Sequence, residues 1–330
     1  MDAHCQTPHH HNTQARIETQ PDTLREALEL PVAQLPASHN AIRSFAFKAP
    51  ASFCERIQPG HSNDPLLRQI WPSPKEEMQT PGFNSDPVGD SAATVTPGLL
   101  QKYHGRALLV VTGVCAIHCR YCFRRHFPYR EHREDSQPWS SALHQIRRDT
   151  SLQEVILSGG DPLTLSNRRL ASLLSQLEDI PHVKRLRIHT RLPIVLPARV
   201  DTGLLTMFAP SSDRLVLVVH ANHTNELDNS VRECLRELRD SGITLLNQTV
   251  LLRGVNDSVS ALADLSERLF ECGALPYYLH QLDPVAGAAH FAVPDAEASK
   301  LVGALRRQLP GYLIPRLVRE QTGSPFKQPL

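Results

Sequence analysis

Long apolar runs, an excess of charge of either sign and a disulfide framework are all missing from this sequence of 330 residues. No stretch approaches the roughly 18–20 apolar residues that cross a bilayer, so no membrane partner is expected. Lys and Arg total 35 against 34 acidic residues, and no global field favours nucleic acid. The start has no apolar segment of the kind a signal peptide carries. The chain has seven cysteines, and an odd number argues against a disulfide framework. Reduced thiols are typical of a cytoplasmic protein, which is the predicted location.

Three of these cysteines, Cys115, Cys119 and Cys122, lie within eight residues in a Cys-x3-Cys-x2-Cys pattern. Three thiolates so close together can hold three corners of a cubane 4Fe–4S cluster, and no fourth cysteine is near. The fourth iron is then open to a substrate or cofactor. Tyr121 and Phe123 flank the last cysteine. The pattern resembles that of radical S-adenosylmethionine (SAM) enzymes, in which the open iron takes the amino and carboxylate groups of SAM.

Two other readings of the triplet stay open at this point. A structural zinc site usually takes four ligands in two spaced pairs, and His118 or His126 could complete one. Three unrelated core cysteines are the second alternative, although such close spacing is rare in a chain with few cysteines. The remaining cysteines have no metal-ligand neighbours and are expected to be free or buried: Cys5, Cys54, Cys234 and Cys272.

The chain alternates strand-like and helix-like segments after an irregular N-terminal part. Residues 1–20 are predicted to form a disordered tail, and residues 21–98 a helical extension with a connector rich in Pro and Gly. Residues 99–295 are predicted to form a barrel domain. Residues 296–330 are predicted to form a helix over 296–308, a short strand over 312–318 and a turn-rich tail that carries the lysine at 327. Six apolar runs predict the barrel strands: 107–112, 154–157, 186–189, 214–220, 244–252 and 276–282. Amphipathic stretches between them, for example residues 167–177 and 230–240, predict helices. The alternation predicts an α/β fold, a partial (β/α)6 barrel.

Polar residues cluster where these predicted strands end, at residues 158–161, 189–191, 220–222, 247–248 and 280–283. In barrels of parallel strands the active site lies at the carboxyl ends of the strands. The cysteine triplet follows the first of them. It is therefore expected to open into the same mouth.

Beyond these patterns, most of the chain resembles the lysine 2,3-aminomutase family of radical SAM enzymes. The resemblance rests on residues 64–69 and on a set of signature runs: 115–129, 158–162, 184–194, 247–253, 276–280 and 287–291. It implies three cofactors: a 4Fe–4S cluster, SAM and pyridoxal 5′-phosphate (PLP). Moving an amino group from Cα to Cβ requires removal of an unactivated hydrogen, which a SAM-derived radical can abstract, while PLP spreads the unpaired electron.

Within the family, the runs most resemble the EpmB branch, which makes β-lysine for the modification of elongation factor P. The resemblance implies conversion of L-α-lysine to β-lysine, as the R isomer, and a functional link to elongation factor P and its lysyl-transferring ligase. A homodimer is compatible with it. One alternative is a metabolic lysine 2,3-aminomutase. Another is a non-catalytic module built on an iron–sulfur or zinc site.

The resemblance also assigns individual residues. Lys327 matches the lysine that forms a Schiff base with PLP, although on the sequence alone a solvated tail lysine is the simpler reading. Around it, Lys102, Tyr103 and Arg106 match the patch that meets the PLP ring and phosphate. Arg124 matches the arginine that pairs with the substrate carboxylate, since its planar fork binds a carboxylate through two hydrogen bonds.

Two acids match the pocket for the substrate ε-ammonium. Asp283 corresponds to a family aspartate, and Glu320 stands seven residues before Lys327, where the family has an aspartate. Helix caps or surface acids are the alternatives for both. Two carboxylates favour a cationic side chain over glutamate. SAM is expected to meet the ends of three strands, at Ser158, Gly159, Gly160, Asp161, His220 and Gln248. There the glycines would admit the backbone close to the SAM amine, and Asp161 would accept a hydrogen bond from it.

Overall fold

A single open sheet of ten strands organises the computed structural model, which describes residues 17–132 and 139–330. Two further short strands pair with each other outside it. The strands of the described residues are β1 Ile17–Glu18, β2 Ala49–Pro50, β3 Thr94–Thr96, β4 Leu99–Tyr103, β5 Arg106–Thr112, β6 Glu154–Gly159, β7 Arg185–Thr190, β8 Leu215–Val219, β9 Thr244–Val250, β10 Leu275–His280, β11 Arg316–Arg319 and β12 Gln328–Pro329.

Neighbours in the large sheet follow the order β12-β11-β10-β9-β8-β7-β6-β5-β4-β3. The strands from β5 to β11 run parallel to one another, while β3, β4 and β12 add antiparallel edges. All six predicted barrel strands are present, and β11 adds a seventh parallel strand. The predicted α/β fold with a partial barrel is confirmed.

Helices cover the sheet and form the N-terminal part. Those of the described residues are α1 Pro21–Ala27, α2 His39–Ser44, α3 Ala51–Cys54, α4 Pro65–Ile70, α5 Ser140–Arg148, α6 Asn167–Glu178, α7 Leu192–Val195, α8 Thr202–Phe208, α9 Asn229–Asp240, α10 Val259–Glu271 and α11 Asp295–Leu305. None of the helices in these ranges combines the length and the apolar character that crossing a membrane requires.

Local sequence explains why these elements form where they do. The β8 sequence Leu-Val-Leu-Val-Val is apolar throughout, as expected for a strand covered on both faces. On α9 the buried side chains are Val231, Cys234, Leu235 and Leu238, a spacing that turns one face of a helix to the sheet. The Asp228 carboxylate caps this helix by accepting from the Val231 backbone N–H. Helix α9 therefore begins at a side-chain cap and buries one stripe of its surface.

The N-terminal part shares its core with the barrel. Leu24 of α1, Phe53 of α3 and Leu66 of α4 belong to the same buried apolar cluster as the strand residues Leu157 and Leu217. Most of the predicted disordered tail, residues 1–16, lies outside the described residues. The disorder prediction was wrong for Ile17 and Glu18, because β1 pairs antiparallel with β2.

Candidate active site

One cavity of about 990 Å³ opens around the carboxyl ends of the parallel strands. Its wall includes three cysteines of the loop after β5, polar residues from the ends of β6, β8 and β9, and charged residues from β4 and the C-terminal segment. Every site residue predicted from the sequence lines this cavity: Lys102, Tyr103, Arg106, Cys115, Cys119, Cys122, Arg124, Ser158, Gly159, Gly160, Asp161, His220, Gln248, Asp283, Glu320 and Lys327.

The cysteine loop turns its three thiols toward the cavity. Burial raises the pKa of Cys122 to about 11 and that of Cys115 well above its ordinary value, so iron binding at these thiols would release protons. The two candidate zinc ligands are engaged elsewhere. His118 Nδ1 lies 2.8 Å from the Ala46 carbonyl oxygen, and His126 Nε2 lies 3.2 Å from that of Ala286. Each contact uses one ring nitrogen and leaves the other, so these contacts do not decide the zinc alternative.

The N-terminal part holds this loop through a buried cluster of charges. The Arg120 guanidinium is fully buried and donates two hydrogen bonds to the Glu76 carboxylate, at 2.9 and 2.6 Å. Arg125 donates a further one to Glu76 at 2.7 Å. Both guanidinium groups lie over the Phe45 ring, 5.1 and 4.9 Å from its centre. The cysteine loop is thus anchored to residues far away in the sequence.

Removing this anchor should destabilise the fold. Glu76→Ala leaves Arg120 and Arg125 buried without their carboxylate, and we expect the free energy of unfolding to fall by about 3–5 kcal/mol. Urea unfolding of the apoprotein measures this loss. Glu267→Ala, at an exposed position of α10, is the matched control and should change stability by less than about 0.5 kcal/mol. Equal stability of the two variants would contradict the expectation.

The end of β6 packs directly against the cysteine loop, which explains its two glycines. A Cβ atom on Gly159 would lie 2.5 Å from the Thr112 carbonyl oxygen, and one on Gly160 would lie 2.3 Å from that of Val114. Gly159 also has a φ of +115°, which favours glycine. A side chain at either position would clash with the chain's own backbone. This packing, rather than a ligand, therefore accounts for glycine at both positions.

Asp161 is held by contacts within the chain. Its Oδ1 accepts from Leu163 N and Thr190 Oγ1, and its Oδ2 accepts from the backbone N–H groups of Arg191 and Leu192. These four donors use the four acceptor positions of a carboxylate. The contact of Asp161 with the SAM amine stays a prediction. Asp161 ties the end of β6 to the end of β7.

Arg124 is held in place by two partners. Its Nε donates to the Asp90 carboxylate at 2.7 Å, and one terminal nitrogen donates to Ser158 Oγ at 3.0 Å. Asp90 also pairs with the Lys102 ammonium at 2.7 Å, and Lys102 donates to the Val88 carbonyl oxygen. Lys102 therefore already has partners within the protein. Asp90 was not predicted, because nothing in the irregular connector distinguishes it from other acids.

The C-terminal segment adds further charges to the lining of the cavity. The Lys327 ammonium pairs with the Glu320 carboxylate, which also accepts from Tyr103 Oη at 2.7 Å. Burial would raise the pKa of Glu320, but Lys327 and these hydrogen bonds hold it below its usual value. Asp283 forms no ion pair with any described residue, and burial raises its pKa to about 7. Arg106 likewise has no ion-pair partner among the described residues and lies over the Tyr103 ring.

Neutral imidazoles also line the cavity. Burial lowers the pKa of His220 to about 3, and its Nε2 lies 2.8 Å from the Gln248 amide nitrogen. His189 and His280 also line the cavity, and each has a buried Nε2 atom without a hydrogen-bond partner in the described part of the chain. Buried polar atoms normally have partners, so these nitrogens fit a polar ligand. The sequence already placed His189 and His280 at the ends of predicted strands, but it gave neither of them a role.

The donor sets fit the expected groups. The three thiols that line the cavity suit an iron–sulfur cluster. The Lys327 amine, the Arg106 guanidinium and the Tyr103 ring line the same cavity and suit an aromatic aldehyde phosphate such as PLP. Two acids beside them suit a cation.

Comparison with known proteins agrees with this arrangement. Residues 109–265 match the family model described as the Radical SAM superfamily. An L-lysine 2,3-aminomutase of Escherichia coli (strain K12) is 50% identical over 96% of this chain and 92% of that protein. Proteins of the same name from Haemophilus influenzae and Clostridium subterminale are 44% and 33% identical, over 93% and 96% of this chain and 91% and 76% of their own lengths.

The sheet, the cysteine loop and the superfamily match together define a radical SAM enzyme, a class that uses a 4Fe–4S cluster and SAM. Cys115, Cys119 and Cys122 are the thiols available to that cluster. Within the class, the chain belongs to the lysine 2,3-aminomutase family, since its likeness to those relatives spans nearly the whole sequence. The predicted family and the predicted enzyme class, an isomerase, are confirmed.

Proposed function

We propose that this protein is a PLP-dependent lysine 2,3-aminomutase that converts L-α-lysine to (R)-β-lysine for the modification of elongation factor P. The observation that carries the proposal is the charge distribution of the cavity. The thiols for the cluster line the same cavity as Lys327 and its partner Glu320 from the C-terminal segment. A substrate between them would meet Arg124 at its carboxylate and acids at its far end.

Each end of this cavity selects one part of lysine. Arg124 bonds Asp90 and Ser158 through two nitrogens, which fixes its guanidinium and leaves the other terminal nitrogen for a substrate carboxylate. Asp283 and Glu320 place two acids where a cationic side chain would end. A substrate with an acidic side chain would face like charge in a desolvated site. The lining therefore favours lysine over glutamate.

Lys327 and Arg106 are the residues that would hold PLP. Lys327 supplies the amine that a PLP aldehyde requires, and the unpaired Arg106 suits its phosphate. When bound, PLP supplies a π-system that delocalises an unpaired electron during amino migration. Without PLP, the ion pair with Glu320 holds the Lys327 ammonium in the cavity. Lys102 supports this wall through its ion pairs with Asp90 and, at 3.6 Å, with Glu320, and its remaining N–H would be available to PLP.

The part of the proposal that concerns elongation factor P rests on the motif resemblance to the EpmB branch. A direct test incubates the anaerobically reconstituted protein with SAM, dithionite and labelled lysine. We expect release of 5′-deoxyadenosine and formation of β-lysine, with chiral analysis giving the R isomer. Formation of β-lysine that the elongation factor P ligase does not transfer would instead indicate a metabolic aminomutase. Absence of both products would indicate a non-catalytic module.

Lysine binding should depend on the ionisation of Asp283. Its raised pKa of about 7, caused chiefly by burial with Glu320 adding to it and Lys327 opposing it, means that the carboxyl loses its charge as the pH falls through 7. A cation binds the ionised form, so KM for lysine should rise about tenfold from pH 8 to pH 6. Steady-state kinetics across this range measure the effect.

Asp283→Asn is the matched variant for this experiment. Its amide does not titrate, so KM should be high and nearly independent of pH in the same range. A pH dependence of KM identical to that of the unmodified enzyme would assign the titration to another group.

A further inference from the structure

Arg191, at the end of β7, lies between the cysteine loop and a buried polar network that the reaction itself does not use. One terminal nitrogen donates to the Cys119 Sγ at 2.7 Å. The other donates to Gln69 Oε1 at 2.6 Å and to the Glu226 carboxylate at 2.9 Å. The side chain is only 5% exposed, and those of Gln69 and Glu226 are fully buried. The Arg191 guanidinium thus bonds the predicted cluster ligand Cys119 on one side and the buried side chains of Gln69 and Glu226 on the other.

The position of Arg191 does not depend on the thiol. The Gln69 amide donates to Glu226 at 3.0 Å, and its oxygen also accepts from Asn222 Nδ2 at 2.9 Å. Glu226 in turn accepts from the Asn222 backbone N–H at 2.9 Å. Gln69 belongs to α4, so the N-terminal part contributes to this support. Since these bonds hold one terminal nitrogen, the other stays directed at the Cys119 sulfur.

We propose that Arg191 is a positioning residue that donates a charge-assisted hydrogen bond to the Cys119 thiolate and raises the reduction potential of the cluster. One-electron reduction adds negative charge that is shared with the sulfur ligands. A hydrogen bond from a cation stabilises that charge, and hydrogen bonds to sulfur are among the features that set cluster potentials. The effect is strong because the surroundings are buried and of low effective dielectric constant.

The choice of Cys119 follows from the contacts of the three thiols. The Lys48 ammonium donates to the backbone oxygen of Cys115 rather than to its sulfur. Cys122 has a backbone donor, the Arg124 N–H, near its sulfur. Only at Cys119 do the described residues place a charged side-chain donor within hydrogen-bond distance of a sulfur of the triplet. The proposal concerns the cluster and is independent of the substrate.

The test is a redox titration of the reconstituted cluster without SAM, followed by electron paramagnetic resonance. The double variant Arg191→Met/Glu226→Gln removes the donor together with its counter-charge, so the net charge near the cluster stays the same. We expect normal iron content and an equilibrium constant for reduction at least tenfold lower, which corresponds to about 59 mV for a one-electron couple. A potential equal to that of the unmodified protein would overturn the proposal.

Two further variants make the result specific. Arg199→Met removes a part-buried arginine that bonds Leu163, Leu165 and Asn167 but no thiol, and its cluster potential should be unchanged. A comparable shift in Arg199→Met would also overturn the proposal. If the double variant fails to fold, Arg191→Lys keeps the charge but cannot span both Glu226 and Cys119. It should shift the potential in the same direction by a smaller amount, and an unchanged potential there would count against the hydrogen bond.

Discussion

Cys119→Ala should abolish SAM cleavage, with release of 5′-deoxyadenosine falling by about 10³-fold or more. Three thiolates hold three irons of the cluster, and a site with two cannot retain it because the remaining ligands leave two irons without protein donors. The variant keeps Cys115 and Cys122, so a loss of SAM cleavage would be due to the missing Cys119 sulfur alone. Iron and sulfide content and the visible absorbance of the reconstituted protein measure the loss directly.

Cys234→Ala is the matched control for this experiment. Cys234 is a buried cysteine of α9 that packs in the core and does not line the cavity. Its removal costs some stability but should leave the iron content and SAM cleavage unchanged. If Cys119→Ala and Cys234→Ala kept equal amounts of iron, the assignment of the triplet to the cluster would be wrong.

Lys327→Ala should prevent the protein from retaining PLP and lower β-lysine formation by about 10³-fold or more. The alanine removes the amine that the PLP aldehyde would react with and also releases Glu320 from its ion pair. Glu320 keeps its hydrogen bond from Tyr103, so the wall of the cavity should stay folded. The absorbance of bound PLP after gel filtration is the measurement, alongside the iron content, which should not change.

Lys300→Ala serves as the control, since Lys300 is an exposed lysine of α11 outside the cavity. It should bind PLP and form product as the unmodified protein does. Unchanged PLP absorbance in Lys327→Ala would refute the cofactor role of this lysine and favour a role in charge balance with Glu320.

Local patterns predicted the elements of the fold to within a few residues. The helix predicted over residues 167–177 is Asn167–Glu178, and the one predicted over 230–240 is Asn229–Asp240. The strand expected over residues 312–318 is shorter, Arg316–Arg319, because Gly311–Leu313 forms a 3₁₀ turn before it. Apolar spacing is a property of neighbouring residues, which is why it can be read without the fold.

Contacts between distant residues explain what the sequence did not reveal about the site. Arg191 and Cys119 are 72 positions apart, and Arg124 and Asp90 are 34 apart. No periodic pattern links such pairs, since the order of strands in the sheet and the path of the connector bring them together. The contacts of Asp161 have the same origin, because three of its four donors lie at the end of β7 and the start of α7.

The sequence by itself determined the kind of chemistry: the cysteine triplet, the strand–helix alternation and the motifs of the family are all encoded in local order. Tertiary structure decided how that chemistry is arranged. It directed Arg191 at one sulfur, gave Arg124 its buried partner Asp90, and anchored the cysteine loop to Glu76. Each of these is a buried charge, and a buried charge is stable only beside a partner that the folded chain supplies.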